Sequence, residues 1–188
     1  EIEGGGIFQV NGNVSTTAII GGATPIGELE IASGKTLTTS VAINAVALDI
    51  NGGNIAGSAG GTGSLNVTGT SDISGNITTG AAVSTFGQRY QGAVTLSGAS
   101  ILTTSADTIT FESTVLSSGA AQNLTVNGVG LVEFESSVGV NGGQAMGLIV
   151  LTGALDAGST IDATSITVAG VSNLANTVIT SGIQTYTG

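Results

Sequence analysis

The 188-residue chain has no cysteine, no histidine and no tryptophan, a single proline, and two basic residues, Lys35 and Arg89. Each absence removes a class of function. Without cysteine there is no disulfide framework and no thiolate to act as nucleophile or metal ligand. Without histidine the commonest general base and transition-metal ligand is missing, and a Ser/His/Asp triad has no middle member. Two cations against twelve acids give a net charge of -10. That leaves no basic footprint for nucleic acid or for an anionic membrane surface. Aromatics are 3% of residues, too few for the girdles of a transmembrane β-barrel. No apolar run approaches the roughly 18 to 20 residues of a spanning helix. Nothing after Glu1 reads as a basic segment leading into an apolar signal core, so a signal peptide is expected to have been removed or to lie outside these residues.

What is present favours strands. Charged residues make up 7%, against roughly 25% in ordinary soluble domains, so the surface must be dressed by Thr, Ser, Asn and the 32 glycines. Solvated helix faces normally carry Glu, Lys, Arg and Gln, whereas Val, Ile and Thr suit strands. A hydrophobic content of 40% buries enough surface to offset ordering entropy, which sets the chain apart from low-complexity disorder.

The sequence also repeats itself. SLNVTGTSDISGNITT, starting at Ser64, returns as SITVAGVSNLANTVIT, starting at Ser165, and both lead into Q-x-Y-x-G: Gln88, Tyr90 and Gly92, then Gln184, Tyr186 and Gly188. A weaker match joins IFQVNGNV near Ile7 to LVEFESSV near Leu131. The offsets of 101 and 124 residues differ by 23, about one turn of a solenoid, so one coil is expected to have been gained or lost between copies.

Short runs of period two occur throughout: 27–31, 65–68, 108–111, 124–126, 132–135 and 165–168. Strand starts near residues 7, 28, 46, 65, 88, 108, 124, 147 and 165 are spaced by about 20, which predicts an all-β parallel β-solenoid of roughly nine coils. At a rung spacing of about 4.8 Å the rod would be on the order of 40 Å long. Residues 1–188 are expected to form one continuous segment of a longer array. The Gly-rich stretches Asn51 to Ser64 and Val140 to Gly147 are expected to form corners or small excursions.

Segments such as QGAVTLSGASILTTSADTITFESTV, AQNLTVNGVGLVEFESSVG and GLIVLTGALDAGSTIDATSITVAG resemble the repeats of large secreted bacterial surface proteins of the filamentous-haemagglutinin-like and autotransporter-like kind. The resemblance covers most of the chain and is strongest from Gln88 to Gly188. It implies a right-handed parallel β-helix, exported to the cell surface or beyond it, that serves as an adhesin shaft or matrix fibre. Its amino-terminal secretion domain and carboxy-terminal barrel are not among these residues.

The chemistry-bearing residues are few. Glu28, Glu30, Glu112, Glu133 and Glu135 alternate with inward apolar residues and should project outward, Glu133 and Glu135 on one face with Glu112 near them. A solvated acidic stripe is the plain reading; a facing carboxylate pair would be the glycosidase reading. Asp156, Asp162 and Asp107 are expected to cap turns, with calcium as the other role open to them. AGGTGSLN supplies the glycines of the calcium nonapeptide G-G-x-G-x-D without its Asp. Arg89 is expected to pair with an acid or stack on Tyr90, and Tyr90 and Tyr186 to cover the coil edge. Sequons at Asn13, Asn66, Asn76 and Asn123 follow from a composition rich in Asn, Ser and Thr.

The expectation is therefore a non-enzymatic structural segment with no cofactor and no catalytic or metal residue. It associates end to end or continues into more of the same chain, with host or matrix glycans as ligands of the fibre. A β-helical polysaccharide lyase or glycosidase is the alternative. A functional amyloid is disfavoured because coils of about 20 residues with non-identical strands suit one chain stacking on itself.

Overall fold

Inward apolar and outward polar residues alternate at period two, so each short run can bury one row of side chains only by lying on another run of the same kind. A computed structural model of the chain, which describes residues 1–57, 63–80, 87–105, 107–128, 130–140 and 144–188, shows how this is satisfied. All regular elements among the described residues are strands, they join in a single sheet, and every pairing is parallel. The chain is a β-solenoid.

Three ladders run along the rod, and the chain visits them in turn. The first passes through Ile2, Ile20, Ile43, Leu65, Gln88, Ile109, Val132, Leu155 and Ser172. The second passes through Phe8, Leu29, Leu48, Ser71, Val94, Val115, Val138, Ile161 and Val178. The third passes through Val14, Leu37, Ile55, Ile77, Leu102, Val126, Leu151, Val168 and Tyr186. Their side chains meet in one core of stacked aliphatics, nearly all fully buried away from the ends. Burial of each such Leu or Ile contributes about 1.5–3 kcal/mol before chain entropy is set against it.

The coil count departs from the expected nine. The solenoid makes about seven turns. The nine expected starts do not mark one ladder: those near 7, 28 and 46 fall on the second, those near 65, 88 and 108 on the first, and those near 124, 147 and 165 on the third. Their eight intervals therefore span about seven turns. The cause is that three similar strands occur per turn, and a period of two cannot tell one from another. Interior turns of the first ladder take 21 to 23 residues, and the first and last steps take 18 and 17.

The same logic places the repeats. Leu65 lies on the first ladder, but its counterpart Ile166 pairs with Ile149 and Gln184 on the third. Ile7 lies on the second ladder and Leu131 beside the first. Each copy is thus displaced by a whole number of turns plus two thirds: four and two thirds for the strong pair, five and two thirds for the weak one. The offsets do differ by one turn, yet equivalent residues face different directions.

Local contacts survive that rotation. Gln88 and Tyr90 stack on Leu65 and Val67, and Gln184 and Tyr186 stack on Ile166 and Val168. A Cβ at Gly92 would lie 2.3 Å from the Gly69 carbonyl oxygen, and one at Gly188 would lie 2.3 Å from the Gly170 carbonyl carbon. Only glycine permits that approach between corners. The expected corner at Asn51 is present, since Ile43–Gly57 is one strand that bends there, with a register shift between Asn51 and Asn54 and Gly52 at φ 67°. The rest of that Gly-rich stretch, 58–62, and residues 141–143 of the second lie outside the described residues.

Candidate functional site

The acids within strands do project outward, and stacking gathers five of them, Glu30, Asp49, Asp72, Glu133 and Asp156, into two columns. On the second ladder Gln9, Glu30, Asp49 and Asp72 occupy one outward register. Gln9 Nε2 donates to Glu30 Oε2 at 2.6 Å, and Ser97 Oγ donates to Asp72 Oδ1. Partial burial, then repulsion from Asp72 and Glu30, raises the Asp49 carboxyl above its ordinary range. On the first ladder Arg89, Thr110, Glu133, Asp156 and Asn173 share an outward register. Thr110 Oγ1 donates to Glu133 Oε2 at 2.8 Å and Asn173 Nδ2 to Asp156 Oδ1 at 3.0 Å.

Arg89 forms an ion pair with Glu112 through Nε and Oε1, while Tyr90 points the other way, into the core. Lys35 sits at the turn before the strand Thr36–Thr39, on a different ladder from Arg89. Asp156 and Asp162 do not cap turns: they lie outward within the strands Ala154–Ala157 and Ile161–Val168, where alternation sends every second side chain to solvent. Asp107 does precede the strand Ile109–Phe111. Among the described residues no three acids are grouped as a metal site. Glu133, Glu135 and Asp156 line a shallow groove with Phe134 and Gly158. Sequon asparagines brace neighbouring coils: Asn13 Oδ1 accepts from the Thr36 N–H at 3.1 Å and Asn123 Oδ1 from the Leu148 N–H at 2.8 Å.

Tyr90 corrects the expectation of an edge cover. It is wholly buried, its ring stacks on Phe111 at 5.1 Å and 9°, and Phe111 stacks on Phe134 at 5.1 Å. Burial pushes its hydroxyl far above the usual phenol range. Beside it lies Gln88, also fully buried, a placement the sequence reading missed. Gln88 Oε1 accepts from the Tyr90 hydroxyl at 2.9 Å. Its amide nitrogen donates to the carbonyls of Thr103 (3.0 Å) and Ile77 (3.3 Å) and lies 3.4 Å from Thr79 Oγ1. The amide cross-links three strands in a core that is mostly aliphatic and aromatic, with Ser71, Ser100 and Ser117 among its other buried polar side chains.

The ends are the other distinctive feature. Among the described residues, strands Ile7–Val10 and Val14–Thr16 pair only with the coil above, and Ser172–Leu174, Val178–Thr180 and Gln184–Tyr186 pair only with the coil below. Val171, Leu174, Ile179 and Ile183 are exposed at the second end, Ile7 and Ile19 at the first. At the first end Glu3 Oε1 accepts from the Ala23 N–H at 2.6 Å and the Thr24 N–H at 3.3 Å. The Ala23 bond, then Glu1, then Thr24 hold its carboxyl below the ordinary range.

No helix among the described residues is long and apolar enough to cross a membrane. No protein-family model matches the chain, and no curated protein or solved structure matches it significantly.

Proposed function

We propose that the chain is a structural rod, a segment of an exported bacterial surface fibre or adhesin shaft that assembles end to end into a filament or extracellular matrix. A β-solenoid serves shafts and polysaccharide-cleaving enzymes alike, so the reading rests on how the side chains are used. The observation that carries it is the unbroken three-ladder core of stacked apolar rungs, with acidic side chains set outward on its faces. Unpaired parallel strand edges are templates for further strands. A head-to-tail contact between unlike ends does not close on itself and generates a filament. Negative staining of the purified protein should show thin unbranched threads. A monodisperse particle of about 18 kDa at all concentrations is the result that removes the reading.

The groove between Glu133, Glu135 and Asp156 supports a second reading, a β-helical polysaccharide lyase or glycosidase. Its activity would be lost on replacing Arg89 or Lys35. Inactivity across pectin, alginate and hyaluronan would dismiss it.

A further inference from the structure

The twelve acids and two bases are not spread evenly round the rod. Along the third ladder the strand residues 36–39, 54–57, 76–79, 100–104, 124–127, 148–151 and 165–168 include no Asp, Glu, Lys or Arg. Lys35 and Asp107 lie beside this face, in the turns that enter and leave it. The acidic columns belong to the other two ladders, with Glu133 and Asp156 on the first and Glu30, Asp49 and Asp72 on the second. The strands of the uncharged face sit in coils paired on both sides, so its character owes nothing to the rod ends.

What this face carries is regular. One outward column runs through Thr36, Asn54, Asn76, Ile101, Thr125 and Val150. A companion column two residues further along the strands includes Thr38, Thr78 and Thr103. Side chains repeat at about 4.8 Å within a column, and the two columns stand about 6.6 Å apart. Ile101 is 41% exposed, and Leu148, on the same strand as Val150, is 40% exposed. Most of these side chains are β-branched and already confined to few rotamers, so covering them loses little entropy. The Asn amides and Thr hydroxyls hold donors and acceptors together, so they can bond to groups of their own kind.

Such a surface fits a partner that is uncharged and has the same period, and the third face of another rod is both. Two rods meeting on their first or second faces would instead set columns of carboxylates against a neighbour of net charge -10.

We propose that the third face is a lateral pairing surface for the same face of a second copy of the chain, so that rods lie side by side with their acidic columns turned to water. The contact is isologous, the same patch serving on both copies. Rows of Thr, Val and Ile interdigitate there as between two packed sheets about 10 Å apart. Lateral pairing does not rest on end-to-end assembly.

Small-angle X-ray scattering across a concentration series reads rod length and rod cross-section separately and is the experiment. The cross-section should double at unchanged length as concentration rises, and at lower concentration when salt screens the net charge. Thr125→Glu places a carboxylate in the middle of the face and should weaken pairing about tenfold or more. Thr103→Glu, on the companion column, should act in the same way. Thr95→Glu adds the same charge to the second face, where Thr95 stacks on Asp72, and should leave pairing unchanged. Each replaced side chain points outward, so all three variants should keep the parent's circular dichroism; if one face variant loses it, the other decides. A single-rod cross-section at every concentration and salt overturns the proposal, as does pairing that both face variants leave intact or that Thr95→Glu weakens equally. Single rods retained on cellulose through Thr125 would give the face to a neutral glycan and overturn it too. Growth in length at constant cross-section overturns lateral pairing and leaves the end-to-end reading standing.

Discussion

The Tyr90 hydroxyl donates to Gln88 Oε1 at 2.9 Å wholly inside the rod. In a stack of aliphatic rungs, that bond and its partners at Thr79, Ile77 and Thr103 form a polar cross-brace. Such a brace is tolerated only while every member is satisfied.

Removing one member should therefore cost more than the bond itself. Tyr90→Phe leaves Gln88 Oε1 buried without its donor and should lower unfolding stability by about 1–3 kcal/mol. Phe111→Ala opens a cavity between Tyr90 and Phe134 and should cost about 3–5 kcal/mol. Denaturant midpoints at unchanged slope check both values. An unchanged midpoint for Tyr90→Phe would contradict the brace.

Tyr90 also sets the alkaline limit. Its folded-state pKa is raised by burial, whereas the unfolded side chain ionises near pH 10. The contribution is thus complete below about pH 10 and is lost as pH rises further, because only the unfolded state releases the proton. Equilibrium stability measured from pH 8 to 11 should fall above about pH 10 in the native protein, and less steeply in Tyr90→Phe.

The acidic column on the second ladder predicts the opposite side of neutrality. Asp49 is raised first by burial and then by Asp72 and Glu30, so its charged form is disfavoured in the folded rod. The stability associated with the raised pKa is present in acid and is lost as pH rises through the carboxyl's titration. Asp49→Asn should stabilise the rod at pH 7 by up to about 0.5 kcal/mol, given solvent screening. The gain should shrink below about pH 4 and in high salt. Equal effects at pH 3 and pH 7 would refute the cause given.

Corner packing supplies a steric test. A Cβ at Gly92 would fall 2.3 Å from the Gly69 carbonyl oxygen, whereas at Gly12 it would meet nothing within 4 Å. Gly92→Ala should destabilise by about 1–3 kcal/mol, and Gly12→Ala should stay within about 0.5 kcal/mol of the parent. Thermal unfolding of the two variants side by side decides the matter.

The sequence made the solenoid legible because the signals were local: alternation in runs such as 27–31 and 132–135, and glycine at the bends. It hid the turn count because Leu29, Leu65 and Leu124 look alike while sitting on different ladders. Gln88 and Tyr90 were hidden for another reason. Polar side chains are read as outward, although Arg89 between them had to face water and so turned both neighbours inward. Asp49 and Asp72 join Glu30 only through the stacking of turns, a relation that no spacing along the chain displays. Likewise, Asp156 and Asp162 read as turn residues until their strands are seen to be continuous.

The extra two thirds of a turn between repeated blocks governs what a longer rod of such blocks would present to its surroundings. Each copy points its outward side chains along a new azimuth, and the fourth copy returns to that of the first. A ligand recognising one block would meet its sites in a slow spiral. Such a shaft would engage neighbours on three sides, binding as a crosslinker and not as a one-sided adhesive strip.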